Sequence, residues 1–213
     1  MSRARPEYEI LNAALEAACR SSWEAGMHTL SCRDQFLLNE QWSQSYVGLA
    51  FNDVLRRCYG NKEAAYVTFE TCVSWLEDFA GQERGPGRPP GRLRKGQRFD
   101  IVVWSKGWKV AGLVEIKDQP VVESYAHTAD PTKLCGALRR WPSIRWGMFL
   151  FSVRSSGGRK YPSIQAELEA KSGKVFTAIE KALPRMVRAK RTRLVEGRGS
   201  RLLWCGAIFR KPA

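Results

Sequence analysis

The chain has 213 residues, 44% of them hydrophobic, with a mean hydropathy of −0.38 and a formal net charge of +14. This length and composition are typical of one soluble globular domain, and the longest apolar run, "WGMFLFSV", is too short to span a bilayer. The first ten residues contain no apolar signal core, so we expect a cytoplasmic protein. The six cysteines have no metal-ligand spacing and are expected to be reduced thiols.

The positive charge is concentrated in the second part of the chain. Residues 1–82 contain 7 Lys or Arg against 11 Asp or Glu, whereas residues 83–213 contain 28 against 10. This asymmetry favours a polyanionic partner, first nucleic acid and second an anionic membrane surface; a solvated basic surface is the alternative. We expect nucleic acid and no membrane.

The first part of the chain is predicted to be helical. Apolar residues at helical spacing in "ILNAALEAA" predict a helix that ends at Gly26. A second helix is predicted to begin near Asn39, a good N-cap, and to end at Gly60. We assign residues 1–38 to an N-terminal helical extension and begin the core of the domain at residue 39.

A strand and a hairpin follow. Segment 66–72 is β-branched and aromatic and predicts a strand, and the Gly-, Pro- and Arg-rich segment 81–97 predicts a loop. Two apolar segments, 98–104 and 110–117, are separated by a short polar stretch, and Lys106-Gly107 is suited to a tight hairpin turn.

The last part of the chain alternates helices and strands. Asp130 and Pro131 are suited to the N-cap and first position of a short helix, which "RWGMFLFSV" follows as a buried strand. Apolar spacing predicts another helix over 163–184, and a basic stretch leads to a strand over 201–208. The core is therefore expected to end at residue 153, followed by a basic C-terminal helix and strand over 154–213.

This order predicts a single α/β domain, a three-layer sandwich with a central mixed β-sheet flanked by helices. The helix that begins at Asp130 crosses over between two strands, so those strands are expected to be parallel neighbours.

The hairpin places charged residues in apolar strands. If the turn is centred on Lys106-Gly107, Asp100 lies opposite Leu113, and Asp100, Glu115 and Lys117 point to one face. Two desolvated carboxylates repel each other unless a cation lies between them. Mg²⁺ or Mn²⁺ fits such a pair, and a nearby lysine can position the attacking water and stabilise a phosphate.

Asp100, a 14-residue gap and the tripeptide "EIK" on a hairpin resemble the PD-(D/E)xK nuclease superfamily, whose fold is that of restriction endonucleases. The resemblance covers roughly residues 39–153. It implies a divalent-metal-dependent nuclease in which Asp100 and Glu115 bind Mg²⁺ or Mn²⁺ and Lys117 assists the nucleophilic water. The proline of the motif's name is replaced by Phe99.

Many members of that superfamily have a further glutamate on the first core helix, which reaches the metal site. Glu40 matches this position, and Glu70 in the strand 66–72 is the other candidate. Glu40 also suits the first turn of a helix simply because of the helix dipole. For the motif itself, the structural alternative is a salt bridge between Lys117 and Asp100 or Glu115.

Basic residues outside the motif are candidates for contacts with the nucleic-acid backbone, which carries charge but no sequence information by itself. They lie in the Gly/Pro-rich loop, on the helix after the hairpin and near the C-terminus: Arg88, Arg92, Arg94, Lys95, Lys133, Arg139, Arg140, Arg188, Lys190, Arg191 and Arg193.

The leading hypothesis is a nuclease that hydrolyses phosphodiester bonds in DNA, with RNA as an alternative substrate and a homodimer as one way to cut both strands. A second hypothesis is an inactive nucleic-acid-binding or regulatory protein on the same fold. A third is an RNA-binding protein that stacks exposed aromatic residues on bases; we expect most of the tryptophans to be buried.

Overall fold

The computed structural model describes residues 6–28, 40–59, 66–79, 93, 96–105, 109–117, 126–156, 160–197 and 200–212. Within these ranges the helices are α1 (Pro6–His28), α2 (Glu40–Tyr59), α3 (Val73–Phe79), α4 (Ala126–Arg140) and α5 (Ile164–Ala182). The strands are β1 (Tyr66–Cys72), β2 (Arg98–Ser105), β3 (Lys109–Lys117), β4 (Trp146–Arg154), β5 (Val187–Gly197) and β6 (Ser200–Phe209).

The six described strands form one mixed sheet in the order β1-β2-β3-β4-β6-β5. β3 and β4 are parallel, and every other neighbouring pair is antiparallel. Because α4 connects β3 to β4, the prediction of two parallel strands joined by a crossover helix is confirmed.

Helices cover both faces of this sheet. On one face, Leu113 and Phe149 belong to a core that includes Leu138 of α4 and Phe176 of α5. On the other face, Val114 and Leu150 pack in a second core with residues of α1 and α2. The predicted α/β fold with a mixed sheet and helices is confirmed.

Two predicted helix boundaries are wrong. α1 continues past Gly26 to His28, and α4 begins at Ala126, before the predicted N-cap Asp130. Pro131 therefore lies inside α4. A proline keeps a helical φ and removes a single donor, and the buried side chains that follow it hold the helix against the sheet. The predicted N-cap Asn39 and stop Gly60 lie outside the described residues.

Two elements have no counterpart in the sequence-based prediction. α3 continues directly from β1, with Val73 and Leu76 buried at helical spacing. β5 is an edge strand with a mostly polar and basic sequence, which pairs with β6 along its length. An edge strand of this kind is held by main-chain pairing and discourages further strand addition through its charges.

Most described tryptophans are buried, as predicted, and the described cysteines are free. Among the described side chains, four tryptophans are buried, whereas Trp23 and Trp75 are about half exposed; the buried ones are Trp104, Trp141, Trp146 and Trp204. The described cysteine side chains form no disulfide, and burial raises the pKa of the Cys135 thiol to about 12. No helix in the described part of the chain is long and apolar enough to cross a membrane.

Candidate active site

The hairpin places Asp100 and Glu115 closer in register than predicted. Ser105 pairs with Lys109, so three residues, 106–108, separate the strands instead of two. One further residue of β3, Ala111, is then left unpaired at a β-bulge between Val103 and Trp104. The predicted pairing of Asp100 with Leu113 is therefore wrong.

The observed register differs from the predicted one by two residues. Val102 lies opposite Leu113 and Ile101 opposite Val114, and the same register continued brings Asp100 level with Glu115. Because side chains alternate with a period of two, a shift of two residues leaves each of them on the face predicted for it.

Asp100 is tied to the neighbouring strand by its side chain. The regular pairing of β2 with β3 ends at Ile101 and Val114. Beyond that pair, Asp100 Oδ2 accepts a hydrogen bond from the Ile116 main-chain N–H at 2.5 Å. This contact fixes the carboxylate beside the β3 main chain, next to Glu115.

Glu115 is a carboxylate in an environment that disfavours its charge. Its side chain is 4% exposed, and no hydrogen bond of normal geometry reaches Oε1 within the described residues. Burial raises the pKa of Glu115 well above its usual range, and the negative charges of Asp100 and Asp130 raise it further. A strongly shifted carboxyl beside a second acid is typical of a functional site.

Lys133 of α4 supplies the opposing charge. Its Nζ lies 2.6 Å from Glu115 Oε1 and donates to the Arg98 main-chain oxygen at 2.7 Å. The same amine lies 5.0 Å from the centre of the Phe99 ring. Lys133 lowers the pKa of Glu115 and so offsets part of the rise that burial causes.

Lys133 was predicted to contact phosphates, and its contact with Glu115 was not predicted. Its position three residues into "DPTK" carries no signal of this contact, because the path of the chain from β3 into α4 decides where the helix passes over the sheet.

Lys117 lies at the end of β3. Alternation along the strand places it on the same face as Glu115, the face covered by α4 and α5, and it is half-buried. In the parallel pairing with β4, Glu115 is opposite Phe149 and Lys117 opposite Phe151. That Glu115 and Lys117 share a face depends on the same alternation and stays a prediction.

The two candidates for a fourth acid are Glu40 and Glu70. α2 begins at Glu40, whose side chain lies outside the described ones. Glu70 is exposed and accepts a hydrogen bond from Gln44 Nε2 of α2 at 3.1 Å. Continued register places Glu70 level with Asp100, between the pairs on either side of them.

Glu70 also interrupts β1. Its φ is 49°, in the left-handed region that side chains other than glycine seldom adopt. On either side of it, the hydroxyls of Thr68 and Thr71 lie 2.6 Å apart, although alternation would place them on opposite faces. Which acid completes the site stays a prediction.

A divalent ion fits the acids that the structure brings together. Glu115 is a buried carboxylate whose Oε1 is contacted by the Lys133 amine, and Asp100 adds a second negative charge beside it. Among the described residues, no group of three or more His, Cys, Asp or Glu could hold a metal. Mg²⁺ commonly binds one or two carboxylates and completes its shell with water and phosphate oxygens, so two acids suffice.

The basic residues near the C-terminus that were predicted to contact nucleic acid lie on two faces of β5. Arg191 lies 5.0 Å from the Tyr8 ring of α1, and Arg193 contacts Glu16 of α1 at 3.5 Å. Lys190 instead forms an ion pair of 2.6 Å with Glu180 of α5.

The other predicted phosphate contacts are scattered. Arg188 donates to the Lys211 main-chain oxygen, and Arg139 of α4 is exposed and contacts Met186. Arg140 is half-buried. The loop residues lie outside the described part of the chain: Arg88, Arg92, Arg94 and Lys95. Binding of nucleic acid by these residues stays a prediction.

No family model, no curated protein and no solved structure matches this chain. The resemblance to the PD-(D/E)xK superfamily therefore stays a prediction, which depends on Asp100, Glu115 and Lys117 and on the strands that carry them.

Proposed function

We propose that the protein is a divalent-metal-dependent nuclease of the PD-(D/E)xK type, with a restriction-endonuclease-like fold, that hydrolyses phosphodiester bonds in DNA. The observation that carries the proposal is the buried Glu115 carboxylate, which lies beside Asp100 in the middle of the sheet and has a raised pKa. Desolvated acids of like charge lower stability unless they serve a cation.

Each residue of the proposed site has a role that its position supports. Asp100, oriented by the Ile116 N–H, and Glu115 would hold Mg²⁺ or Mn²⁺. The bound ion would lower the pKa of a water and neutralise charge on the phosphate. Lys117, on the same face as Glu115, would orient that water and stabilise the phosphate oxygens. The chain's positive charge supports a nucleic acid as the substrate.

One experiment tests this activity. Purified protein is incubated with linear, circular and branched DNA and with RNA, with Mg²⁺, with Mn²⁺ or with a chelator. Cleavage is expected only with the divalent ion, and Glu115→Gln should lower its rate by orders of magnitude, because each loss of about 1.36 kcal/mol in transition-state stabilisation lowers the rate tenfold.

Glu167→Gln is the matched control, since Glu167 is another buried glutamate with a lysine at 2.7 Å, outside the proposed site. The variants are compared at a temperature at which both are folded. Cleavage by Glu115→Gln at the parent rate would contradict the proposal.

The ion pair between Lys133 and Glu115 favours a second function, a nucleic-acid-binding protein without catalysis. The lysine already neutralises part of the charge that a metal would neutralise. In that case DNA would bind with the same affinity in Mg²⁺ and in chelator, and no nucleic acid would be cut.

A further inference from the structure

Lys133 occupies an unusual position for a helix surface residue. Its side chain is 11% exposed, and its amine bridges the Glu115 carboxylate and the Arg98 main-chain oxygen. It thereby links α4 to β3 and β2. The carboxylate that it contacts is itself buried, with 4% of the side chain exposed.

Lys171 and Glu167 form a second lysine–glutamate pair, outside the proposed site, with which the Lys133–Glu115 pair can be compared. Lys171 Nζ lies 2.7 Å from Glu167 Oε1 and donates to the Arg154 main-chain oxygen at 2.8 Å. Glu167 also accepts hydrogen bonds from the Ser155 hydroxyl at 2.5 Å and from the Ser156 N–H at 2.9 Å. Its carboxylate is fully satisfied by these donors.

Glu115 differs from Glu167 in the charges that surround it. The groups that act on it are two further acids, Asp100 and Asp130, and one amine, Lys133. Two of these carboxylates, Asp100 and Glu115, are buried, and like charges removed from water favour a cation between them. At Glu115 the Lys133 amine supplies that positive charge in the structure.

We infer that Lys133 is the resident counter-ion of the metal site, and that a divalent ion displaces its amine from Glu115 when it binds. The inference rests on the proposed function, because it takes Asp100 and Glu115 as metal ligands. A lysine side chain is long and flexible, with three donors on its amine, so it can leave the carboxylate without movement of the helix. Lys133 is thus a positioning residue that sets metal affinity.

Competition for one carboxylate has a measurable consequence. Lys133→Met keeps the length and most of the apolar stem but removes the charge that competes with the ion. Removal of one positive charge a few ångströms from a divalent ion is expected to raise its affinity by about tenfold or more. Lys171→Met removes the same kind of contact elsewhere and should leave the affinity unchanged.

The experiment titrates Mg²⁺ into the full chain by calorimetry. The titration is carried out at a series of pH values, and each Mg²⁺ affinity is taken from the plateau at high pH, where Glu115 is ionised. Four proteins are compared: parent, Lys133→Met, Lys171→Met and Glu115→Gln. The expected order is tighter binding by Lys133→Met, equal binding by Lys171→Met and lost binding by Glu115→Gln.

The other outcomes of the calorimetry distinguish failure of the inference from failure of the proposed metal site. Binding by Lys133→Met that equals or falls below the parent's overturns the inference alone, provided that Glu115→Gln has lost binding. Binding that survives in Glu115→Gln, or no binding by any of the four proteins, overturns the proposed metal site and the inference with it.

A second measurement needs no variant and covers the case in which Lys133→Met does not fold. An amine-reactive acetylating reagent is applied to the parent with and without Mg²⁺, and labelling is read by mass spectrometry. Mg²⁺ should increase the labelling rate of Lys133 and leave that of Lys171 unchanged. Equal labelling of Lys133 in both conditions would overturn the inference.

Discussion

Glu115 and Glu167 are predicted to make the stability of the metal-free protein depend on pH in opposite directions. Both are buried, and each has a lysine amine within 2.7 Å. Burial and Asp100 raise the pKa of Glu115 well above its usual range. Hydrogen bonds from Lys171, Ser155 and Ser156 lower the pKa of Glu167 far below it.

The direction of each pH dependence follows from whether the folded or the unfolded protein binds the proton more tightly. The stability that Glu115 contributes is complete below the unfolded glutamate pKa of about 4.3 and is lost as the pH rises through the raised folded pKa. The stability that Glu167 contributes is complete above about 4.3 and is lost as the pH falls toward the lowered folded pKa. Each effect changes the free energy of unfolding by up to about 1.4 kcal/mol per pH unit.

Urea unfolding at a series of pH values, in the presence of a chelator, measures both effects. Relative to the parent, Glu115→Gln should gain stability steadily as the pH rises above about 4.3. The deficit of Glu167→Gln should be largest near neutral pH and shrink below about 4.3. Use of the difference from the parent removes the titration of groups common to both proteins.

Because Glu167 accepts several hydrogen bonds as an anion, its amide variant should lose about 3 kcal/mol near neutral pH. If the difference between parent and Glu115→Gln is independent of pH, Glu115 is not held in a desolvated, acid-rich site, and the structural basis for a metal centre is lost. An equally flat difference for Glu167→Gln would contradict its hydrogen-bond network.

Three further predictions concern catalysis, binding and packing. Lys117→Ala should abolish DNA cleavage and leave the Mg²⁺ affinity from calorimetry within a few-fold of the parent's, since the amine is proposed to act on water and phosphate; parent-like cleavage would make it structural. If residues 188–193 contact DNA, charge-reversing substitutions there should flatten the dependence of DNA affinity on salt, and an unchanged slope would show a solvated surface. Gly206→Ala should lower the free energy of unfolding by about 1–3 kcal/mol, because its Cβ would lie 2.6 Å from Leu11 Cδ1. The control Gly173→Ala, in α5, adds a Cβ that meets no atom within 4 Å outside the neighbouring backbone of its own helix, and it should raise the free energy of unfolding by about 1 kcal/mol in the same urea titration.

Local patterns in the sequence were enough to predict most of the central sheet. The apolar segments that became β2, β3 and β4 could be recognised from β-branched and aromatic residues, and a helix between two of them predicts parallel strands. The face shared by Glu115 and Lys117 also follows from the sequence, because alternation along a strand is a local property.

Elements without a local signal were missed. β5 has charged side chains on both faces and is held by its pairing with β6, a partner whose position depends on the whole fold. α3 begins at Val73, in a segment whose β-branched and aromatic residues favour a strand. The hairpin register needed both a three-residue loop and the bulge at Ala111, and neither has a signature in this sequence.

The environment of Glu115 was decided by tertiary structure alone. The sequence places this acid in an apolar strand, but its pKa depends on burial and on charges from other elements, Asp100 in β2 and Asp130 and Lys133 in α4. Lys133 meets Glu115 only because α4 crosses the sheet at that point, 18 residues later in the chain. Electrostatic interactions depend on distance and dielectric environment, and these are properties of the folded chain.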